Sequence, residues 1–106
     1  MLVVLTTTRS SDEAERLARL IVEKKLAACV QILPRMTSVY FWEGKVQSEP
    51  EHLLLIKTLE ERFDALRDFV QNNHSYEVPE IVALGAERVS DDYLNWLEGY
   101  LEGEPS

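Results

Sequence analysis

Three short segments of the 106-residue chain are apolar at every position, and this pattern limits how the chain can fold. They span residues 39–42, 53–56 and 81–84 and read VYFW, LLLI and IVAL. Successive side chains of a β-strand point to opposite faces of a sheet, so such strands carry apolar side chains on both faces. The pattern predicts a sheet that needs apolar cover on its two sides.

The first part of the chain reads as a strand followed by a helix. Residues 2–5 form a short apolar run rich in Val and Leu, which is typical of a strand. Ser10 then stands three residues before Glu13, the spacing of a capping box. A helix over 11–25 follows, because one apolar stripe recurs with helical spacing at Ala14, Leu17, Ala18 and Ile21.

The middle of the chain is predicted to form a long, bent β-hairpin. Extended segments cover residues 27–42 and 45–57, with Gly44 at the turn between them. Proline cannot donate a hydrogen bond to a sheet, so we expect each extended segment to break at its proline, which should mark a bulge, a bend or an unpaired edge. These breaks fall at Pro34 and Pro50.

A second helix and a further strand follow the hairpin. Thr58 and Glu61 repeat the capping-box spacing, and an apolar stripe after them predicts a helix over 59–72. A polar loop then leads into residues 81–84, which we expect to form a buried strand.

A third helix is predicted between Ser90 and the neighbourhood of Gly103. Its shared face consists of Tyr93, Trp96, Leu97 and Tyr100. The element order is therefore β-α-β-β-α-β-α, whose first six elements are two split β-α-β units. We predict the α+β class and a ferredoxin-like sandwich with an added C-terminal helix, as a single domain over residues 1–106.

Composition excludes several classes of function. No run approaches the length of a membrane span, which needs about 18 uninterrupted apolar residues. Residues 1–5 lack the features of a signal peptide. We therefore expect a cytoplasmic protein without a membrane partner. The net charge is −8, from 19 acidic against 11 basic residues, which argues against nucleic acid as a partner. The acids either attract cations or serve solubility alone. A single cysteine, Cys29, excludes an intrachain disulfide.

Oligomerisation is expected from the apolar strands. Two helices can cover one face of a small sheet, which leaves the apolar side chains on its other face without cover. A second subunit would cover that face and protect the sheet edges. Composition does not choose between two, three and four subunits, although a closed ring of three would solve both problems symmetrically.

Several segments of the chain resemble the CutA family of divalent-cation tolerance proteins. Two are specific in combination: residues 37–45, which contain Tyr-x-Trp-Glu-Gly-Lys, and residues 74–81, which contain His-x-Tyr-x-x-Pro-Glu. Further similar segments are 23–29, 57–58 and 92–97. The resemblance implies a ferredoxin-like homotrimer that pairs through sheet edges, similar in architecture to the PII signalling trimers. It also implies a role in tolerance to divalent cations, with copper(II) binding as the activity most often proposed.

The candidate metal ligands are His74, Cys29 and Glu77. His74 follows a helix end in a polar loop, and the resemblance places one of the family's proposed copper ligands there; the alternative is a histidine that stabilises the helix C-terminus. Cys29 is either a soft copper ligand or a small buried hydrophobic residue. Thr6 and Asn73 occupy positions where the family's proposed site has better copper ligands. We therefore expect divalent cations to bind weakly and no cofactor to be required.

A second hypothesis is a signalling or scaffold trimer that binds a small molecule or a partner protein in clefts between subunits. The candidate cleft residues are aromatic side chains with polar anchors, and the alternative role for the aromatics is packing at the interface. They are Tyr40, Trp42, Lys57, Tyr76, Glu80 and Trp96. Catalysis is not expected, because the chain has no Gly-rich phosphate loop, His-Glu-x-x-His motif or Gly-x-Ser-x-Gly motif.

Overall fold

The computed structural model of this chain describes residues 1–103, which form an antiparallel sheet with three α-helices. The strands are Leu2–Thr8 (β1), Cys29–Ile32 (β2), Met36–Trp42 (β3), Lys45–Thr58 (β4) and Val82–Gly85 (β5). The α-helices are Ser11–Glu23 (α1), Phe63–Asn73 (α2) and Asp91–Leu101 (α3), and a 3-10 turn, Glu60–Arg62, precedes α2. The predicted mixed α+β class is confirmed.

The strand order is β2-β4-β1-β5, and every pairing is antiparallel. α1 connects β1 to β2, and β4 lies between these two strands. α2 connects β4 to β5, and β1 lies between these two. Each helix therefore joins two parallel strands that flank a third strand, as the β-α-β pattern of the sequence predicts. β3 pairs only with β4, where β4 extends past the end of β1.

The main core lies between one face of this sheet and the first two helices. The predicted stripe of α1 is buried, and it meets buried residues of α2 and of the two central strands. These residues are Ala14, Leu17, Ile21, Leu66, Val70, Val4, Leu54 and Ile56. At about 25 cal/mol per Å² of apolar area removed from water, this layer contributes most of the stability of the body of the fold.

The predicted start of α1 is confirmed, and its end lies earlier than predicted. Ser10 Oγ accepts a hydrogen bond from the Glu13 amide at 3.2 Å. The helix ends at Glu23 rather than at residue 25, because Lys25 has a φ of 56° in the left-handed region, which ends the helical conformation. The predicted third helix agrees with α3, although Trp96 is 51% exposed instead of sharing the buried side with Leu97.

Two residues, Glu43 and Gly44, form the turn between β3 and β4. Both have positive φ, 50° and 81°, as a type I′ hairpin turn requires. The predicted break at Pro34 is confirmed, since residues 33–35 separate β2 from β3. The predicted break at Pro50 is wrong, because β4 runs without interruption from Lys45 to Thr58, although Pro50 does mark an unpaired edge, one of the expected alternatives.

The hairpin register explains why Pro50 is tolerated. A two-residue turn makes Trp42 and Lys45 a hydrogen-bonded pair, and such pairs alternate with non-hydrogen-bonded pairs along the ladder. Thr37 and Pro50 lie five steps further on and are therefore a non-hydrogen-bonded pair. The nitrogen of Pro50 faces the outer edge of β4, where β1 no longer pairs, so no ladder bond is lost.

The predicted capping of α2 by Thr58 is also wrong. Thr58 is the last residue of β4, and its hydroxyl donates to the Leu26 carbonyl at 2.7 Å. That hydrogen bond connects β4 to the segment before β2, and Thr58 stands in the strand, not at the N-cap position. The chain instead enters α2 through the 3-10 turn, whose N-cap residue, Leu59, makes no side-chain cap bond.

The arm, defined as β3 together with residues 45–51 of β4, projects from the body of the fold. Its apolar side chains are exposed in the single chain, with Phe41 and Val46 each 70% exposed. β5 was predicted to be a buried strand, but all four of its residues are exposed in the single chain. Among residues 1–103, β5 pairs with β1 alone, so one of its edges has no strand neighbour there.

None of the helices within residues 1–103 has the length and apolar character needed to cross a membrane.

Candidate ligand-binding cleft

An open cleft of about 920 Å³ lies between the arm and the segment 75–80 that follows α2. Its lining includes three aromatic residues, Tyr40, Trp42 and Tyr76. It also includes two basic residues and five glutamates, which are Arg9, Lys45, Glu43, Glu49, Glu51, Glu77 and Glu80. The carboxylates outnumber the basic groups, so the cleft favours positive charge.

Glu51 is the most enclosed charged residue of the cleft, with 8% of its surface exposed. Its Oε2 accepts hydrogen bonds from the Tyr76 hydroxyl at 2.6 Å and from Thr7 Oγ1 at 3.2 Å. Burial raises the pKa of the Tyr76 phenol, and its hydrogen bond to Glu51 raises the pKa further. The Arg9 guanidinium lies 5.3 Å from the centre of the Tyr76 ring. Glu51 therefore joins β4, the end of β1 and the segment after α2.

His74 has no exposed side-chain surface, and both of its ring nitrogens make hydrogen bonds. Nε2 lies 2.7 Å from the Thr7 carbonyl oxygen, which can only accept, so Nε2 carries a hydrogen. Nδ1 accepts from the Tyr76 amide at 2.9 Å. The ring thus holds the segment after α2 against β1. A metal ion could bind a nitrogen of His74 only after displacing one of these partners.

Glu13 holds the same segment against α1. Its carboxylate accepts from the Ser75 amide at 2.8 Å and from Ser75 Oγ at 2.9 Å. The capping-box spacing identified Glu13 for a different role, namely a hydrogen bond back to Ser10. The roles of Glu13 and Glu51 were missed from the sequence because their partners lie 62 and 25 or more positions away.

The three predicted metal ligands are not brought together within one chain. Glu77 lines the cleft, and His74 is buried behind it. Cys29 pairs with Lys57 at the other end of β4, six residues from Glu51, or about 20 Å along a strand. Within residues 1–103 no group of three His, Cys, Asp or Glu side chains is placed to hold a metal ion. Copper binding at these residues stays a prediction.

The alternative prediction for Cys29 is a small buried hydrophobic residue, but Cys29 is only half-buried. Its neighbour Val30 pairs with Ile56, which lies on the helix-covered face of the sheet. Since successive residues alternate, Cys29 lies on the other face, which α1 and α2 do not cover.

Four of the six predicted cleft residues line the cleft, namely Tyr40, Trp42, Tyr76 and Glu80. The other two lie apart, beside α3. Lys57 Nζ is 5.5 Å from the centre of the Tyr93 ring, and the Trp96 ring is 5.6 Å from that of Tyr93. Arg9, Glu49 and Glu51 join the cleft because β1, the arm and the segment after α2 meet there.

The fold and the cleft define a small mixed α+β protein with a projecting β-arm and a polar cleft at the base of the arm. The family model described as "CutA1 divalent ion tolerance protein" matches residues 2–99. The chain belongs to this family, and the resemblance noted in the sequence is confirmed.

Individual relatives agree with this assignment. The chain is similar to "Protein CutA 1, chloroplastic" of Oryza sativa, with 48% identity over 97 residues, 92% of this chain and 55% of that protein. It is also similar to "Divalent-cation tolerance protein CutA" of Thermus thermophilus, with 46% identity over 95 residues, 90% of this chain and 92% of that protein. The solved structure of a periplasmic divalent cation tolerance protein CutA from Archaeoglobus fulgidus superposes with a TM-score of 0.91 at 39% identity, covering 95% of this chain and 99% of that one. The chain spans about half the length of the plant and animal relatives it matches.

Proposed function

We propose that this chain acts in divalent-cation tolerance as a homotrimer, and that it works by binding rather than by catalysis. We infer the trimer from the exposed apolar surface of the arm. Val39, Phe41 and Val46 are each at least two-thirds exposed in the single chain, and Trp42 is 46% exposed. Aromatic side chains bury about 150–250 Å² each when covered, so this surface favours association.

A partner of the same kind is favoured by the edges of the sheet. β5 and the outer edge of the arm each have one side without a strand neighbour in the described chain. Unpaired edges are templates for another strand, and copies of one chain can satisfy several such edges in a closed ring. The number three comes from the resemblance to the CutA family.

Sedimentation equilibrium of the native protein tests the oligomeric state. At micromolar concentration we expect a single species with three times the chain mass of 12.2 kDa. A folded monomer at that concentration would refute the trimer.

Copper(II) is the cation for which we propose binding, with low affinity. The support is the net charge of −8 and the carboxylates around the cleft, which raise the local concentration of cations. Tight copper binding needs several nitrogen or sulfur ligands in a defined geometry. His74 lies behind the cleft, and both of its ring nitrogens are already hydrogen-bonded.

A calorimetric titration of copper into wild-type protein and His74→Ala tests this proposal. We expect micromolar or weaker affinity that decreases in acid, because protons compete with metal ions for the ligand atoms. If His74 is the central ligand, as the sequence suggests, His74→Ala loses the binding and His52→Ala, the matched control, keeps it. Nanomolar affinity would contradict weak binding, and an unchanged His74→Ala isotherm would contradict the role of His74.

A second candidate function is binding of a small molecule in the cleft, as in a signalling or scaffold trimer. The specific observation in its favour is the position of Glu51, a nearly buried carboxylate that two hydroxyl groups hold in place at the cleft wall. A fixed, enclosed charge in a cleft with aromatic walls is a common feature of ligand sites. The two functions are compatible, since a trimer can carry three such clefts.

A further inference from the structure

We propose that Tyr76 is a positioning residue that fixes the angle between the arm and the body of the fold by holding Glu51. This inference rests on the proposed trimer, because it states what prepares the arm for contact with another copy of the chain. It is carried by the place of Glu51 at the base of the arm and by the hydrogen bonds that converge there.

The arm leaves the body at Glu51. β1 ends with the pair of Thr8 and His52, so Glu51 is the first residue of β4 beyond β1. From there β4 pairs with β3 alone within the described chain, and Met36 lies opposite Glu51. β3 has seven residues, so the two-stranded ribbon extends about 23 Å at about 3.3 Å per residue. Over that length, a rotation of about 10° at the base moves the tip by about 4 Å.

Among residues 1–103, Glu51 is the one arm residue with a side-chain hydrogen bond to the body. Its Oε2 accepts from Thr7 Oγ1 at 3.2 Å and from the Tyr76 hydroxyl at 2.6 Å. The other side-chain hydrogen bonds of the arm, donated by Trp42 and Gln47, stay within the arm. In the same range, neither buried apolar cluster includes an arm residue. Glu51 is therefore the anchor of the arm.

Tyr76 is itself fixed to the body, so its hydroxyl can hold the anchor in one place. The Tyr76 amide donates to His74 Nδ1 at 2.9 Å, and His74 Nε2 donates to the Thr7 carbonyl at 2.7 Å. The neighbouring Ser75 donates twice to Glu13 of α1. A carboxylate held by a single donor can turn about that bond, whereas donors from two different segments fix its orientation. Without the Tyr76 hydroxyl, the described chain leaves the anchor with Thr7 Oγ1 alone.

The angle of the arm matters for assembly. A free arm would lose its freedom of orientation on contact with another copy, and that loss opposes association. An arm that is already fixed loses less, which favours the trimer. The same angle sets the width of the cleft, since the cleft lies between the arm and the segment 75–80.

The variant Tyr76→Phe tests the proposal, because it removes the hydroxyl and keeps the ring. Tyr40→Phe is the matched control, since Tyr40 lies in β3 and its hydroxyl makes no hydrogen bond within residues 1–103. Both are made in full-length Phe41→Asp protein, in which a charge on the apolar surface of the arm should keep the chain monomeric.

Double electron–electron resonance then measures the distance between two nitroxide labels. One label is on Lys45→Cys at the tip of the arm and the other on Ala65→Cys, on the exposed side of α2, with Cys29→Ser removing the native thiol. We expect one narrow distance distribution in the parent protein and in Tyr40→Phe, and a broad distribution in Tyr76→Phe.

An unchanged distribution in Tyr76→Phe would overturn the proposal even if the melting temperature falls, because Tyr76 would then only stabilise the body. Equal broadening in Tyr40→Phe would overturn it as well. If Tyr76→Phe does not fold, the parent protein still decides: one narrow distance supports a fixed arm, and a broad distribution refutes it.

Sedimentation equilibrium without the Phe41→Asp change separates this inference from the trimer. We expect Tyr76→Phe to weaken association about tenfold, the effect of losing one hydrogen bond to a charged group. A wild-type monomer would refute the trimer, while the label distances would still support or refute the role of Tyr76. A Tyr76→Phe protein with a broad distance distribution that associates like the wild type would overturn the link between the angle of the arm and assembly.

Discussion

β4 passes through two regions of the molecule, the body and the arm. Its apolar side chains are buried in the body and exposed in the arm. In the body, Leu54 and Ile56 of β4 are fully buried under α1 and α2. In the arm, Val46 of the same strand is 70% exposed, as is its cross-strand partner Phe41. The residue types are equally apolar, and only the neighbouring elements differ. Burial along β4 is therefore decided by what the topology places against it.

The body is consequently complete within one chain, whereas the arm is not. Helices cover the body because each β-α-β connection returns across the same face of the sheet. No helix follows or precedes the arm directly, since its two strands are joined by the two-residue turn at Glu43 and Gly44. Within residues 1–103 the apolar side chains of the arm stay exposed, and the proposed trimer would cover them.

The largest effect is expected when a charge is placed on the arm. Phe41→Asp should dissociate the proposed trimer, because a carboxylate left unpaired in an apolar contact costs about 3–5 kcal/mol per subunit. Ala65→Asp is the matched control, since Ala65 is exposed on α2, away from the arm. Sedimentation velocity should show a smaller species for Phe41→Asp only. A Phe41→Asp variant that sediments like the wild type would argue against the arm as the interface.

The next effect compares the two regions of β4 directly. Leu54→Ala should lower the free energy of unfolding by about 2–5 kcal/mol, because it leaves a cavity in the core. Val46→Ala should destabilise only the assembled protein, so its melting temperature should depend on protein concentration more steeply than that of the wild type. Thermal denaturation over a range of concentrations checks both variants. If Val46→Ala leaves the melting temperature unchanged at every protein concentration, the arm does not contribute to an interface.

The smallest effect concerns two neighbouring threonines on the helix-covered face of β1. Thr8 Oγ1 donates to the Ser10 carbonyl at 2.8 Å, whereas Thr6 Oγ1 is buried without a partner among residues 1–103. Thr8→Val should cost about 1 kcal/mol through the lost hydrogen bond. Thr6→Val, the same change, should leave stability unchanged or raise it by up to about 1 kcal/mol, because it removes an unsatisfied hydroxyl. Urea denaturation measures both, and a larger loss for Thr6→Val than for Thr8→Val would show that Thr6 has a partner after all.

The sequence predicted the parts of the fold that depend on local periodicity. The stripe of α1, the Ser10 cap and the Gly44 turn each follow from residues within a few positions of one another. Pro50 and Thr58 were misjudged because their outcome depends on neighbours across the sheet: the register turns Pro50 toward a free edge, and Thr58 donates to Leu26. The propensities of a short segment contain neither the register of the sheet nor the hydrogen-bond partner of Thr58.

The candidate site was predicted less completely for the same reason. Its aromatic members stand in motifs that the resemblance identifies, and Tyr40, Trp42 and Tyr76 do meet in the cleft. The anchor Glu51 was missed, since nothing near it in sequence distinguishes it from other exposed-looking acids of the arm. Its role depends on Thr7 and Tyr76, which reach it from 44 positions before and 25 positions after.

Fluorescence quenching of Trp42 shows directly whether the arm is covered in the native protein. The chain has two tryptophans, so Trp96→Phe leaves Trp42 of the arm as the single fluorophore. Trp42 is 46% exposed in the isolated chain, and we expect acrylamide to quench it weakly in native Trp96→Phe protein and strongly once Phe41→Asp is added. Equally strong quenching in both proteins would mean that the arm is uncovered in the native state, which would contradict the proposed trimer.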